Sequence, residues 1–492
     1  MRSIGNPFSF EGSIGNLAYA GWTLPIFLCQ HLVAWLGIRV QGASIKTGIF
    51  DEFFFMVPLR WILLSPDSPP VSYRPSAVWL TLLAFVVLLL TNWALLALSY
   101  RRAVDCNAPG WVAAAAIVPM LQILIIVLLW IAPAAAQDTG PLEQKSRELR
   151  NDARRGALQG MLIGMALTLA AVATSALIFG TYGYGIFVVM PFIIGTLVGY
   201  VANRSADLSD GETARLVFGA TLLGSLALLV TALEGAACLV MAAPIGAFAA
   251  LIGGVIGRQI AQSGRGGGGK MAASVAMLPI VFAIEAVFPP LARFDTMQTI
   301  EVQASPERVW KAIVQMETIE EPLSLLHHAG VAYPVRGRVF GAGVGALRYG
   351  DFSTGTAIER VTQWRENEML AFVVLKDIAG LRELSPYRHV HAPHVHGYFT
   401  TSETSFELIP RDGGMTQIVE RTSHELKLDP ALYWLPFARH MVDINNARVL
   451  RHIKRQAEKS MVANVSVRPR ESGDPVQSIL VSRFRGNERS KN

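Results

Sequence analysis

The chain has 492 residues, of which 52% are hydrophobic and 16% charged, with a formal net charge of +6; soluble chains average about 25% charged. All three cysteines, Cys29, Cys106 and Cys238, fall in the apolar part, which excludes a secreted disulfide scaffold and a cysteine zinc site in the C-terminal part. The positive excess is shared between the apolar part and a short tail and forms no single basic face, so no nucleic-acid partner is expected.

Charge divides the chain in three. Residues 1–292 contain 31 charged side chains, residues 293–460 contain 40 with no net charge, and residues 461–492 carry a basic excess. This predicts an all-α multispanning membrane part of about eight helices, a water-soluble α+β domain, and a tail. No basic stretch followed by a short apolar run and a cleavage site opens the chain, so no signal peptide is expected.

Uncharged stretches define the expected spans. Residues 17–36, 77–98 and 111–131 each approach the roughly 20 apolar residues that cross a bilayer. Residues 53–64 are apolar but short and carry Arg60, which fits an interfacial segment better than a span. Two motifs stand beside these spans: Phe10-Glu-Gly-Ser-Ile-Gly15 leading to Tyr19, and Arg101-Arg102 with Asp105 and Gly110-Trp111. On these motifs, residues 8–135 resemble the YhaH-like domain, a bacterial inner-membrane family of unknown function. That family carries arginines in the first motif where this chain has Ser13 and Asn16. The resemblance implies a three-span membrane domain over 1–135 and no chemistry.

A charged linker, 136–156, precedes an expected four-helix membrane bundle over 157–258. Gly180-Thr-Tyr-Gly-Tyr-Gly185 and Glu234-Gly235 supply the turns of its two hairpins. Small residues one turn apart (Gly160/Gly164, Gly195/Gly199, Ala220/Gly224 and Gly253/Gly257) predict closely packed backbones. The hairpins have similar lengths, and duplication and coincidence both fit. Residues 259–292 hold a glycine-rich linker and an eighth span at about 272–288.

Ten basic residues fall in the loops after spans three, five and seven: Lys145, Arg147, Arg150, Arg154, Arg155, Arg204, Arg215, Arg258, Arg265 and Lys270. The hairpin turns have none. The positive-inside rule then places those loops in the cytoplasm and the C-terminal domain outside it. Arg101 and Arg102 run against this scheme. Intramembrane polar groups read as structural: Glu234 at a turn, Glu285 near a surface, and His31 with Gln30 as a helix–helix contact. The lack of a chain of buried carboxylates speaks against a proton-coupled transporter.

After Pro289-Pro290 the pattern changes to alternating strands, starting at about 297–304. Ser305 and Pro306 suit the cap and first position of a short helix carrying Trp310, Ile313 and Val314 on one side. Strands are expected at about 332–340, 344–352, 357–364, 369–375, 397–408 and 415–426. A long helix follows from Asp429 to about Ser460, with Phe437, Met441, Ile444, Val442, Val449 and Ile453 facing inward. This is a helix-grip order: an antiparallel sheet wrapped on a long C-terminal helix. With Ala304-Ser-Pro-Glu-Arg-Val-Trp310, Gly343-Val-Gly345 and Glu359-Arg-Val-Thr-Gln-Trp364, residues 295–458 resemble the START/polyketide-cyclase (SRPBCC) superfamily. Phe352-Ser-Thr-Gly355 and Glu383-Leu-Ser-Pro-Tyr387 resemble a membrane-tethered bacterial subgroup of it. The resemblance implies an apolar cavity for lipids, polyketides or similar ligands, with no universal catalytic residues.

Parity along the strands then selects side chains for the cavity. Tyr349 and Asp351 share parity with Leu347; Glu359 shares it with Ala357 and Val361; Glu420, Thr422 and His424 share it with Ile418 and Leu426. Tyr349, Asp351, Glu359 and His424, with Met441 from the helix, are the candidate ligand-binding residues. A buried carboxylate here is paired, for instance with Arg348 or Arg421, or it anchors a polar group of a ligand. His389, His391, His394 and His396 read as a polar loop over the cavity mouth before they read as a zinc or copper site. No catalytic residue, metal or cofactor is assigned. The expected partners are the membrane and a hydrophobic small molecule or lipid, with homo-oligomerisation left open. A cyclase- or dehydratase-like enzyme using Glu359 and His424 is one alternative, and a regulatory or structural membrane module is another. The tail, 461–492, is expected to be disordered.

Overall fold

The computed structural model describes residues 6–40, 78–135, 141–204, 206–231, 233–263, 274–385 and 397–465. The segment 53–64, the glycine run 264–269, the histidine cluster 389–396 and the tail beyond 465 lie outside these residues.

Helices α1 (Asn16–Val40) and α2 (Val78–Asp105) run antiparallel. Tyr19 Oη lies 3.0 Å from Ser99 Oγ, and Gln30 donates to Asn92 at 3.2 Å. Gln122 donates to Gln30 at 3.3 Å, so three amides join three helices in an apolar interior, a common adhesive between membrane helices. His31 Nδ1 pairs with the Phe27 carbonyl of its own helix at 2.9 Å. The two N-terminal motifs meet here: the Phe10 ring lies 5.3 Å from Trp93 and 5.7 Å from Tyr100, and Arg101 donates to the Asn6 carbonyl.

The stretch expected as a third span doubles back instead. A single turn, α3 (Val112–Ala115), leads in, and α4 (Pro119–Ile131) leads out. The Ala135 N–H donates to the Asp105 carbonyl at 2.9 Å, so entry and exit lie side by side. The break falls at Pro119. The residue before it, Val118, is extended at φ −86° and ψ 117°, the conformation that proline favours in its predecessor. Arg102 braces the hairpin by donating to the Asp105 carboxylate and to the Leu129 and Ala132 carbonyls. Arg154 at the start of the bundle donates to the Ala108 carbonyl at 3.0 Å. Arg101 and Arg102 therefore stand on the same side as the basic linker, which removes their disagreement with the charge pattern.

The bundle contains α5 (Pro141–Ala173), α6 (Met190–Asn203), α7 (Asp210–Val230) and α8 (Ala236–Gln262). Short π-helical segments, Thr174–Phe179 and Gly185–Val189, extend the first two toward the turn at 180–184. Four stretches, Arg150–Phe179, Gly185–Asn203, Asp210–Val230 and Ala236–Gln262, are long and apolar enough to cross a membrane. Helix α7 opens with a capping box: Ser209 Oγ accepts the Glu212 N–H at 3.3 Å and Glu212 accepts the Ser209 N–H at 2.9 Å. The small-residue expectation is realised most strongly between α6 and α8. A β-carbon at Gly195 would overlap the Ala250 carbonyl, and one at Gly253 the Phe192 carbonyl.

Helix α9 (Leu278–Val287) returns beside the π-helical segments, and its Glu285 accepts the Gly185 N–H at 2.8 Å. The opposite end of the bundle is closed by Arg258, which binds Asp207, Asp210 and the Leu208 carbonyl. The chain thus passes from one end of the bundle at Gln262 to the other end before the C-terminal domain begins.

That domain is an eight-stranded antiparallel sheet in the order β1-β8-β7-β6-β5-β4-β3-β2. Its strands are β1 (Ala292–Val302), β2 (Gln315–Met316), β3 (Pro334–Phe340), β4 (Leu347–Phe352), β5 (Gly355–Arg365), β6 (Met369–Lys376), β7 (Phe399–Arg411) and β8 (Met415–Leu426). Helix α10 (Pro306–Val314) and a turn, α11 (Leu325–His328), cover one end. Helix α12 (Ala431–Val465) packs on the sheet through Trp434, Ala438, Val442, Asn446, Leu450, Ile453 and Ala457, all buried. This is the expected helix-grip. Two capping details differ. Ser305 takes the cap position without a side-chain bond. Helix α12 starts at Ala431, whose N–H is accepted by Asp429 at 3.1 Å.

The domain sits on the hairpin turns. Tyr398 donates to the Gly180 carbonyl, Asp429 N–H to Tyr182 at 3.3 Å, and Tyr433 to Met241 at 2.6 Å. The Ala236 N–H, an orphan donor at the start of α8, is taken by the Leu384 carbonyl at 2.7 Å. The Glu383-Leu384 motif is therefore a docking segment.

Candidate functional site: a cavity between the sheet and the helical bundle

A cavity of about 340 Å³ lies between the sheet, α12 and the bundle. Small-molecule sites of this kind start at about 300 Å³. Strand β8 measures its depth. Leu426 stands at the mouth, and His424, Thr422 and Glu420 follow inward. Six residues of strand amount to roughly 20 Å. The mouth faces the bundle. Val172, Ile186, Leu228, Leu239 and Met241 of the bundle line it, with Tyr182 donating to Glu234 at 2.8 Å beside them.

The interior changes character with depth. Near the mouth, His424 is stacked between Phe294 and Phe399, at 5.1 and 5.4 Å. Its Nδ1 pairs with Thr401 Oγ1 at 3.1 Å and its Nε2 with Thr422 Oγ1 at 2.7 Å. Burial pushes its imidazole from 6.5 down to about 4, so it is neutral at physiological pH. Thr422 also meets Thr296 at 2.7 Å, and Asn446 donates to both hydroxyls at 3.2 Å. Asp377 accepts the Thr401 and Ile378 N–H groups at 2.9 and 2.8 Å; burial nevertheless holds its carboxyl above the ordinary range.

Deeper in, Arg348 and Glu359 form an ion pair between adjacent strands, and the guanidinium lies 4.3 Å over the Phe372 ring. Burial raises Glu359, and the arginine opposes that rise. Among the described residues Glu420 has no such partner. Burial raises its carboxyl from 4.5 to about 8, with Arg348 pulling the other way. Among the described residues, Glu420 Oε2, Arg348 Nε and Trp434 Nε1 are buried without a hydrogen-bond partner, and all three residues line the cavity.

Three of the five candidate residues, Glu359, His424 and Met441, line this cavity. Tyr349 and Asp351 do not. The parity read on β4 is inverted: Arg348, Gly350 and Phe352 face the cavity. Tyr349 packs on Phe340 at 5.2 Å on the outer face, and Asp351 binds Arg336, Arg338 and Thr356 there. Those partners bring the Asp351 carboxyl below its ordinary value although its burial works against them. The physical reason is the ion pair. Arg348 is driven inward by Glu359, and hydropathy scored it as the outward residue. Of the two expected partners for a buried carboxylate, Arg348 serves Glu359, while Arg421 pairs with Glu407 on the outside. Glu420, Thr422 and Asn446 share the inward pattern in the sequence. Tyr182, Leu239 and Met241 carried no signal, because nothing local says that a hairpin of apolar helices will line the mouth of a distant cavity. Among the described residues no cluster of His, Cys, Asp or Glu could hold a metal.

No family model matches the chain, and no curated protein matches it, so the YhaH-like resemblance rests on its two motifs. Several solved structures are similar to part of it. A norcoclaurine synthase point mutant from Thalictrum flavum, in complex with a transition state analogue, is 10% identical over 35% of this chain and 98% of its own, with a TM-score of 0.24. The Zhui aromatase/cyclase of a Streptomyces species is 14% identical over 35% of this chain and 96% of its own, with a TM-score of 0.23. The strand order and the position of the terminal helix define the helix-grip fold.

Proposed function

We propose that this is a multispanning membrane protein that holds a hydrophobic or amphipathic, lipid-like molecule in a cavity shared by its helix-grip domain and its transmembrane hairpins. One observation carries the reading: the apolar mouth of the cavity is completed by Leu228, Leu239 and Met241, which belong to helices long enough to span a bilayer. A ligand can reach it from the membrane without crossing water, and the hydrophobic effect rewards the transfer. In this reading the chain resides in a bacterial inner membrane with the domain on the extracytoplasmic side.

The enzyme alternative has less support. Glu359 is engaged by Arg348, and both nitrogens of His424 meet threonine hydroxyls. The two residues stand on β5 and β8, with β6 and β7 between them.

Native mass spectrometry of the full chain, released from mild detergent, tests the proposal. A retained lipid-like adduct is expected in the wild type, and its loss in Leu239→Trp and Ala438→Trp, which fill the mouth from opposite sides. A wild-type cavity that carries no adduct and takes up none from added lipid would overturn it.

A further inference from the structure

The ligand's chemistry can be narrowed from the deep end of the cavity, an inference that rests on the cavity reading above. We infer that the ligand carries an uncharged head bearing hydroxyl or carbonyl oxygens, which lies on the Phe372–Phe406 floor between Arg348 and Glu420, while its apolar body points toward the membrane helices.

The floor consists of two rings 6.3 Å apart. Arg348 flanks it on one side, lying over Phe372. Glu420 flanks the other, directly opposite Phe406 in the β7–β8 register. Each flanking residue is at most 8% exposed and brings one polar atom without a partner among the described residues, Arg348 Nε and Glu420 Oε2. Leaving such groups unpaired is costly, so a ligand that satisfies both gains relative to water. Arg348 Nε can only donate, and it therefore asks for an acceptor oxygen.

The charges on the cavity wall select among head groups. The Arg348 cation is already neutralised by Glu359. Arg336, the second arginine among the described residues of the cavity wall, is bound to Asp351 on the outer face. Among the described lining residues no arginine or lysine is left over for a carboxylate or phosphate head. A cationic head meets Arg348 at close range. Glu420, held protonated by burial, can donate to a carbonyl or accept from a hydroxyl. The polar end lies roughly 20 Å inward of the apolar mouth, so the molecule stands with its head away from the bilayer.

The test uses the full chain in phosphatidylcholine nanodiscs and three diazirine probes sharing one oleyl chain: monooleoylglycerol, oleate and oleylamine. Photolabelling of peptides spanning β7, β8 and α12 is the readout. The glycerol ester is expected to label these peptides at least tenfold more than either charged probe at equal mole fraction. Glu420→Gln, whose amide also donates and accepts, is expected to keep that labelling within threefold, and Glu420→Leu to lower it about tenfold. Equal or stronger labelling by oleate or oleylamine overturns the inference and leaves the cavity reading standing. So does unchanged labelling in Glu420→Leu. Absence of labelling by all three probes overturns both.

Discussion

Arg348 and Glu359 are 8% and 5% exposed and face each other across β4 and β5. Removing one partner of such a pair strands a buried charge and costs about 3–5 kcal/mol, whereas replacing both by apolar residues of similar size is close to neutral. Arg348→Ala is therefore expected to lower the thermal midpoint of the full chain sharply, and the double variant Arg348→Met with Glu359→Leu to recover most of the loss. Glu420 supplies a second expectation, with a sign. Its carboxyl is raised by burial from 4.5 to about 8, so the folded state keeps a proton that the unfolded chain has released. The stability this group contributes is full below about pH 4.5 and is lost as pH rises toward 8. His424 behaves oppositely: its contribution is present above 6.5 and lost as pH falls toward 4. Glu420→Gln has no carboxyl to ionise. The midpoint difference between variant and wild type is expected to grow in the variant's favour between pH 5 and 8; a constant difference would remove the assignment. Such residues were half legible. Alternation on β8 exposes Glu420 and His424 as inward, because apolar Ile418 and Leu426 share their parity. On β4 the same method pointed to Tyr349 and Asp351, since a guanidinium that turns inward to meet a carboxylate on the next strand leaves no mark in a single strand's hydropathy.

At the scale of elements, local sequence was most informative where one chemical cause dominates. Ser209 and Glu212 form a capping box that starts α7, and proline and glycine mark the ends of several helices. Close approach of α6 and α8 was readable from Gly195, Gly199, Gly253 and Gly257 because only missing side chains let backbones touch. Gly195→Ala and Gly253→Ala each push a methyl into a carbonyl of the facing helix, and overpacking of this kind costs about 1–3 kcal/mol. Gly246 in the same helix faces only a side-chain carbon of Pro191 at 3.8 Å. Gly246→Ala is expected to leave the thermal midpoint unchanged while the other two lower it. The doubling back of 106–135 was not legible. Hydropathy counts apolar residues and is blind to direction, and the one local sign, Pro119, is also tolerated inside spanning helices. What reverses the chain is the Arg102 brace to Leu129 and Ala132, a contact 27 and 30 residues away.

For the whole molecule, the decisive fact is that two units share one cavity. The domain touches the turns at 180–182 and 234–241, and the basic residues Arg204 and Arg258 stand at the other end of the same helices. Sidedness then follows from the loops alone. Among the described residues, Arg150, Arg154, Arg155, Arg204, Arg215 and Arg258 fall on the side away from the domain, and re-entry of 106–135 adds Arg101 and Arg102 to them. Translocation of short basic loops is disfavoured, so that side is expected to be cytoplasmic and the domain extracytoplasmic. Three exposed positions read this out: Asn107 in the re-entrant loop, Asp152 at the start of the bundle, and Glu403 on β7. With the native cysteines replaced, single cysteines there are to be labelled in intact cells by a membrane-impermeant maleimide. Glu403→Cys is expected to react in intact cells, and Asn107→Cys and Asp152→Cys only after permeabilisation. Reaction of Asn107→Cys together with Glu403→Cys would restore 111–131 as a true span. Reaction of Asp152→Cys without Glu403→Cys would turn the whole molecule over. In that case the cavity would face the inner leaflet, with its floor and its polar end unchanged.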